Sequence, residues 1–142
     1  EAYAFSEICN GFSDWQEEEK TEHRAVYAFP GQNLRAIIEY PDTETYKQSG
    51  WDIRIRFDGM LQKCYYVEVK THTTNSRVRK MMMLSPMQLL MALREKENYA
   101  VMMVSYSRKL GHCTSANVYL NPMELLAKGK LKGTVEQYVF SV

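Results

Sequence analysis

Residues 51–70 read WDIRIRFDGMLQKCYYVEVK, and the reading of this stretch decides the fold. Trp51, Ile53, Ile55 and Phe57 alternate with Asp52, Arg54 and Arg56, the period of two of a half-buried β-strand. Residues 64–70 form a second strand, with Val67 and Val69 on one face and Tyr66, Glu68 and Lys70 on the other. Asp58-Gly59 lies between them as a turn signal, so the two strands make a hairpin. A tight two-residue turn would pair Phe57 with Met60 and Asp52 with Tyr65, placing the acids Asp52 and Glu68 on opposite faces. A wider connection around residues 59–61 pairs Ile53 with Val67 and Trp51 with Val69, matching apolar to apolar. It also brings Asp52 level with Glu68. The hydrophobic pattern therefore predicts the wider connection, despite the Asp-Gly pair.

Before the hairpin, residues 2–9 read as a short helix and residues 10–22 as an acidic, turn-rich stretch. Residues 24–29 and 33–40 read as extended segments separated by Pro30-Gly31, and residues 41–50 as a loop. After the hairpin, residues 71–80 are polar and basic and read as a loop. The strongest helix start follows: Ser85 at the N-cap, Pro86 at the first helical position and Gln88 at the third, a reciprocal capping arrangement. Leu84 and Leu89 are spaced as a hydrophobic staple, and Leu89, Leu90 and Leu93 are read as the apolar face of a helix running to about Glu97. Residues 99–106 are strongly β-like and apolar, as in a central strand. Residues 116–120 return as a strand after Gly111, Asn121-Pro122 starts a short helix, and residues 134–142 read as a last strand. This order gives an α/β class, a mixed sheet with helices packed on it.

The chain has 142 residues with 45% hydrophobic and 25% charged side chains, the size of one domain. No apolar run approaches the ~20 residues that span a bilayer, so no membrane partner is expected. Three widely spaced cysteines, Cys9, Cys64 and Cys113, argue against a disulfide framework and a four-thiolate zinc site. With nine methionines they suggest a reduced intracellular protein, of cytoplasm or nucleus. Beginning at Glu1 rather than Met suggests a piece of a longer polypeptide whose other domains are partners too. The net charge of +1 hides an asymmetry: residues 1–60 carry 12 acidic and 6 basic side chains, residues 61–142 carry 5 and 12. A polyanion partner is thus not excluded, because binding responds to the local field.

The chemistry lies in Asp52, Glu68 and Lys70. Glu68 and Lys70 point to one face, about 6.6–7 Å apart along the strand. Two carboxylates suit hard divalent ions such as Mg²⁺ or Mn²⁺, which take oxygen ligands and keep waters. A nearby ammonium orients the attacking water and balances phosphate charge, completing the parts for metal-assisted phosphodiester hydrolysis. The bland alternative is an exposed ion-pair cluster worth about 0–1 kcal/mol per pair. Capping alone accounts for Gln88. His72 reads as a solvated loop residue or a phosphate contact, and His112-Cys113 lacks partners at ligand spacing. Met81–Met83 and Met102-Met103 read as strand or core filling, and Glu17-Glu18-Glu19 as a solvated acidic face or a seat for a partner's basic segment.

Gly50-Trp51-Asp52-Ile53, then Val67-Glu68-Val69-Lys70-Thr71, then Leu84-Ser85 with a helix carrying Gln88 and Ala92, then Tyr99-Ala100-Val101, resembles the PD-(D/E)xK nuclease superfamily. Within it the likeness is to the restriction-endonuclease-like domain at the C-terminus of NO VEIN-type proteins, over roughly residues 33–130. The resemblance implies a three- or four-stranded mixed sheet flanked by helices and a nuclease acting on DNA or RNA. Asp52, Glu68 and the Val69 carbonyl would be metal ligands and Lys70 the water-orienting group. Gln88 would reach that water or a phosphate. Many members add a glutamate from the first helix, for which Glu7 is the candidate and Glu1 the next. Arg77, Arg79, Lys80 and His72 would contact the nucleic-acid backbone, positioning it without reading sequence. The alternative is a catalytically inactive nuclease-like module that binds nucleic acid or a protein partner within a larger protein. Two nicks in a duplex need two centres, and a homodimer would supply them.

Overall fold

The computed structural model describes residues 1–40, 50–74 and 82–131. Most of the 41–50 loop, the basic residues Arg77, Arg79 and Lys80 and the expected strand over 134–142 lie outside the described residues.

The described residues form one seven-stranded sheet in sequence order: β1 (Gln16–Lys20), β2 (Arg24–Ala28), β3 (Leu34–Glu39), β4 (Ile53–Gly59), β5 (Lys63–Thr73), β6 (Tyr99–Ser107) and β7 (His112–Leu120). All neighbours are antiparallel except β5 and β6. A parallel pair needs a crossover. Here it carries α2 (Pro86–Glu95) and a short 3₁₀ turn, Lys96–Asn98. Helix α1 (Ala2–Asn10) precedes the sheet and α3 (Pro122–Ala127) follows β7. The expected α/β class is therefore found, with a larger sheet than the three or four strands the resemblance implied.

The hairpin takes the wider register. Ile53 pairs with Val67 and Phe57 with Lys63, so Asp58 and Gly59 belong to β4 and the connection is residues 60–62. Gly59 is required by its other neighbour, β3: its φ is +102°, and a Cβ there would lie 2.3 Å from the Asn33 carbonyl oxygen. That glycine serves a close approach between strands rather than a tight turn.

The pleat divides the core in two. On one face α1 buries Ala4, Phe5 and Cys9 against Tyr27, Ile38, Ile53, Val67 and Met102. On the other, Met91 and Ala92 of α2 pack with Trp51, Tyr99, Val101 and Met103. β6 contributes to both and is buried at eight of its nine residues, as its unbroken apolar run suggested.

Three sequence expectations need correction. The acidic stretch contains a strand, β1, exposed throughout and bulged between Glu17 and Glu19. Cross-strand ion pairs hold it: Arg35 Nε donates to Glu18 at 2.7 Å, and Glu19 pairs with Arg24. Glu18 and Glu19 are thus ion-paired within the fold while the strand that carries them stays exposed. Residues 71–73 extend β5 rather than starting a loop. Finally, α2 does not bury its leucines: Leu90 is 60% exposed and Leu93 49%, whereas Met91 and Ala92 are buried. Of the methionine run, Met82 packs against the core, Met83 is exposed and Met81 lies outside the described residues.

Candidate active site

Asp52 and Glu68 meet on the α2 side of the sheet. The main chain of Asp52 continues the hairpin ladder, its N–H donating to the Val67 carbonyl at 2.9 Å. Its carboxylate turns back and accepts from the Val69 N–H at 2.7 Å. That bond holds Asp52 Oδ2 next to the strand position between Val67 and Val69, where Glu68 projects. Glu68 is only 4% exposed and is the one buried charged side chain among the described residues. Its carboxyl is pushed above the usual range, first by burial and then by the adjoining Asp52 carboxylate, with the Lys70 ammonium opposing both. The wide hairpin register thus brings the two acids together.

Lys70 and Gln88 complete the cluster. The Lys70 ammonium lies 2.9 Å from Glu68 Oε1 and donates to Gln88 Oε1 at 3.0 Å. Gln88 Oε1 also accepts from the Ser85 N–H at 2.8 Å, while Gln88 Nε2 donates to Glu68 Oε1. The Gln88 N–H in turn donates to Ser85 Oγ at 3.3 Å, closing the capping box. One amide therefore caps the helix and orients both the acid and the ammonium. The cap reading of Gln88 is realised, and the same amide also reaches Glu68 and Lys70.

This network also explains the rotation of α2. With Gln88 turned to the sheet, Met91, Ala92 and Glu95 follow on the same face at helical spacing, and the leucines turn outward. Ala92 allows close packing against the sheet. Gly50, at φ +82°, does the same for the incoming chain: a Cβ there would sit 2.9 Å from Met91 Cγ. Tyr99, fully buried, donates its hydroxyl to the Gly50 carbonyl at 2.8 Å and braces that loop end. Burial, then the charges of Glu68 and Asp52, raise its phenol pKa, so it stays a neutral donor. The sequence places Tyr99 at the head of a central strand and in a motif of the resemblance, with no role for its hydroxyl; a tyrosine heading an apolar strand is the signal, since its buried hydroxyl needs a partner.

His72 lies on β5 two residues beyond Lys70 and, by the strand period, on the same face. It is a half-buried strand residue. Glu7 is not brought to the site. It is exposed on α1, which packs on the Val67 face, so the sheet separates it from Glu68. Glu1 precedes the same helix.

The family model described as Protein NO VEIN, C-terminal, matches residues 15–115, well over half of the chain. The chain belongs to this family. The match runs from just before β1 to the start of β7, so it includes Asp52, Glu68, Lys70 and Gln88; α1 with Glu7 and α3 fall outside it. Neither a curated protein nor a solved structure matches the chain. Among the described residues, no helix is long and apolar enough to cross a membrane.

Proposed function

We propose that this domain of the NO VEIN C-terminal family is a divalent-metal-dependent phosphodiesterase of the PD-(D/E)xK nuclease type, acting on DNA or RNA. The carrying observation is a buried carboxylate, Glu68, held against a second one, Asp52, beside a fixed ammonium. Desolvation and like charge both oppose ionising Glu68, which is unfavourable for folding and well suited to a cation. The donor set is all oxygen, which fits Mg²⁺ or Mn²⁺. No cluster of three His, Cys, Asp or Glu side chains occurs among the described residues. Mg²⁺ does not require one, since it commonly takes one or two carboxylates and fills its remaining positions with water and substrate phosphate.

When bound, the ion supplies Lewis acidity toward the phosphate and makes water a nucleophile at neutral pH. Asp52 and Glu68 would hold it, with the Val69 carbonyl as the further ligand that the resemblance implies. Lys70 orients the attacking water and offsets negative charge gathering on the phosphate. Gln88 fixes the Lys70 ammonium and Glu68 so that neither reorganises during the reaction. His72 extends the same face toward the substrate backbone, and Arg77, Arg79 and Lys80 follow it in the chain.

The test is Mn²⁺ titration by calorimetry beside cleavage of labelled DNA and RNA. Wild type should bind Mn²⁺ at millimolar concentration or below, and Asp52→Asn and Lys70→Ala should each lower cleavage by about 10²–10⁴-fold. Unchanged cleavage in both variants would remove the site. One observation favours the non-catalytic alternative: Lys70 and Gln88 already satisfy Glu68 from within the chain. Nucleic-acid binding without divalent-ion binding would select that alternative.

A further inference from the structure

The face that carries Asp52 and Glu68 continues along the hairpin. By the pleat and the observed register, Asp52, Arg54, Arg56 and Asp58 lie on it in β4 and its approach, beside Cys64, Tyr66, Glu68, Lys70 and His72 of β5. Four arginines stand in the described strands, and three are tied down. Arg24 pairs with Glu19, Arg35 with Glu18, and Arg54 with Glu39 at 2.6 Å while its guanidinium lies 5.7 Å from the Trp51 ring centroid. Arg56 alone has no ion pair or hydrogen bond among the described residues, and it is exposed. Its cross-strand neighbours are Ile37 on β3 and Cys64 on β5, neither of them anionic.

Arg56 also borders a cavity of about 340 Å³ at the hairpin end, with Lys63 and Gln62 among the other lining residues. The one acid there, Asp58, accepts from the Gly59 N–H at 2.9 Å. Asp52 and Arg56 are four positions apart, about 13 Å at the strand rise of ~3.3 Å per residue. One strand of a duplex advances about as far over four nucleotides at 3.4 Å each.

We propose that Arg56 is a nucleic-acid contact, gripping the sugar–phosphate backbone of the substrate about four nucleotides from the carboxylate pair, with the cavity beside Lys63 receiving the phosphate. The inference rests on the phosphodiesterase reading above. A guanidinium presents a planar fork of donors that matches phosphate oxygens, which a solvated lysine would not do as specifically. The competing role is cover: the aliphatic stem of Arg56 shields Ile37, which is only 6% exposed. Arg56→Met keeps that stem and removes the charge, and so separates the two roles.

The experiment is fluorescence anisotropy of the full chain with labelled duplex DNA, its single strand and the RNA of the same sequence, in Ca²⁺, between about 50 and 200 mM salt. Wild type should bind at least one probe. Arg56→Met should weaken that binding about tenfold, the equivalent of one charge-assisted hydrogen bond. The slope of log affinity against log salt should fall by about one. Arg56→Lys should recover most of the slope, and Arg56→Met should retain the wild-type urea midpoint and Mn²⁺ affinity. The preferred probe identifies the nucleic acid. Wild-type binding with unchanged affinity and slope in Arg56→Met overturns the Arg56 role and leaves the phosphodiesterase reading standing. No binding to any probe by wild type overturns both.

Discussion

Replacing Gln88 by alanine tests whether one amide serves both the start of α2 and the carboxylate pair. Two losses are expected. The first is half of the capping box, the acceptor for the Ser85 N–H, worth about 0.5–1 kcal/mol. The second is the donor to the buried Glu68 carboxylate, for which a charged hydrogen bond is worth about 1.5–3 kcal/mol. Lys70 remains on Glu68 Oε1 and limits the damage, so the total should be about 2–4 kcal/mol. Ser85→Ala removes a cap without touching the carboxylates and should cost about 1 kcal/mol. Urea unfolding of both variants, followed by circular dichroism, measures the difference. In a Glu68→Gln background the cost of Gln88→Ala should fall toward that of the cap alone, a departure from additivity expected only of groups in contact. If Gln88→Ala costs no more than Ser85→Ala, Gln88 is a cap and nothing else, and the organised cluster is lost with it.

Divalent ions should stabilise the fold through Asp52: at tenfold excess over its Kd, Mn²⁺ adds about 1.4 kcal/mol to wild type and nothing to Asp52→Asn, read as a thermal-midpoint shift. The raised Glu68 carboxyl sets a pH dependence. In the unfolded chain Glu68 ionises near its ordinary value, and in the folded chain only at higher pH. Its contribution is therefore most favourable below the ordinary carboxylate range and is lost as pH rises through the folded value. Glu68→Gln should accordingly gain stability relative to wild type across that window and plateau above it; a difference independent of pH in urea midpoints would contradict the shift. The rotation of α2 predicts that Met91→Ala costs about 2–4 kcal/mol. Leu90→Ala should stay within about 0.5 kcal/mol, and the reverse ranking would restore the leucine face.

Much of this architecture is legible in residue order alone because its signals are local and periodic. The period of two in residues 51–57 and 64–70 marks both strands, and matching apolar partners selects the register that aligns Asp52 with Glu68. Ser85, Pro86 and Gln88 mark a helix start to the residue, because a cap is satisfied within four positions. The family resemblance at its NO VEIN level rests on the same local motifs. Pattern misleads where the deciding partners are distant. β1 carries no buried residue; it is a strand because its backbone pairs along β2, with Arg24 of β2 and Arg35 of β3 holding its glutamates. Glu7 has no local signal separating one sheet face from the other.

The side of α2 that meets the sheet, and with it the double role of Gln88, was settled only by tertiary packing. Counting apolar side chains favours Leu89, Leu90 and Leu93. The folded chain instead turns Gln88 inward, because the amide can satisfy Glu68, Lys70 and Ser85 together and Ala92 lets the helix approach closely. A buried carboxylate left without donors costs more than partial exposure of three leucines recovers, so polar satisfaction outweighs apolar count in orienting this helix. Periodicity records which residues avoid water; it carries no term for a hydrogen bond to an acid twenty positions earlier in the chain.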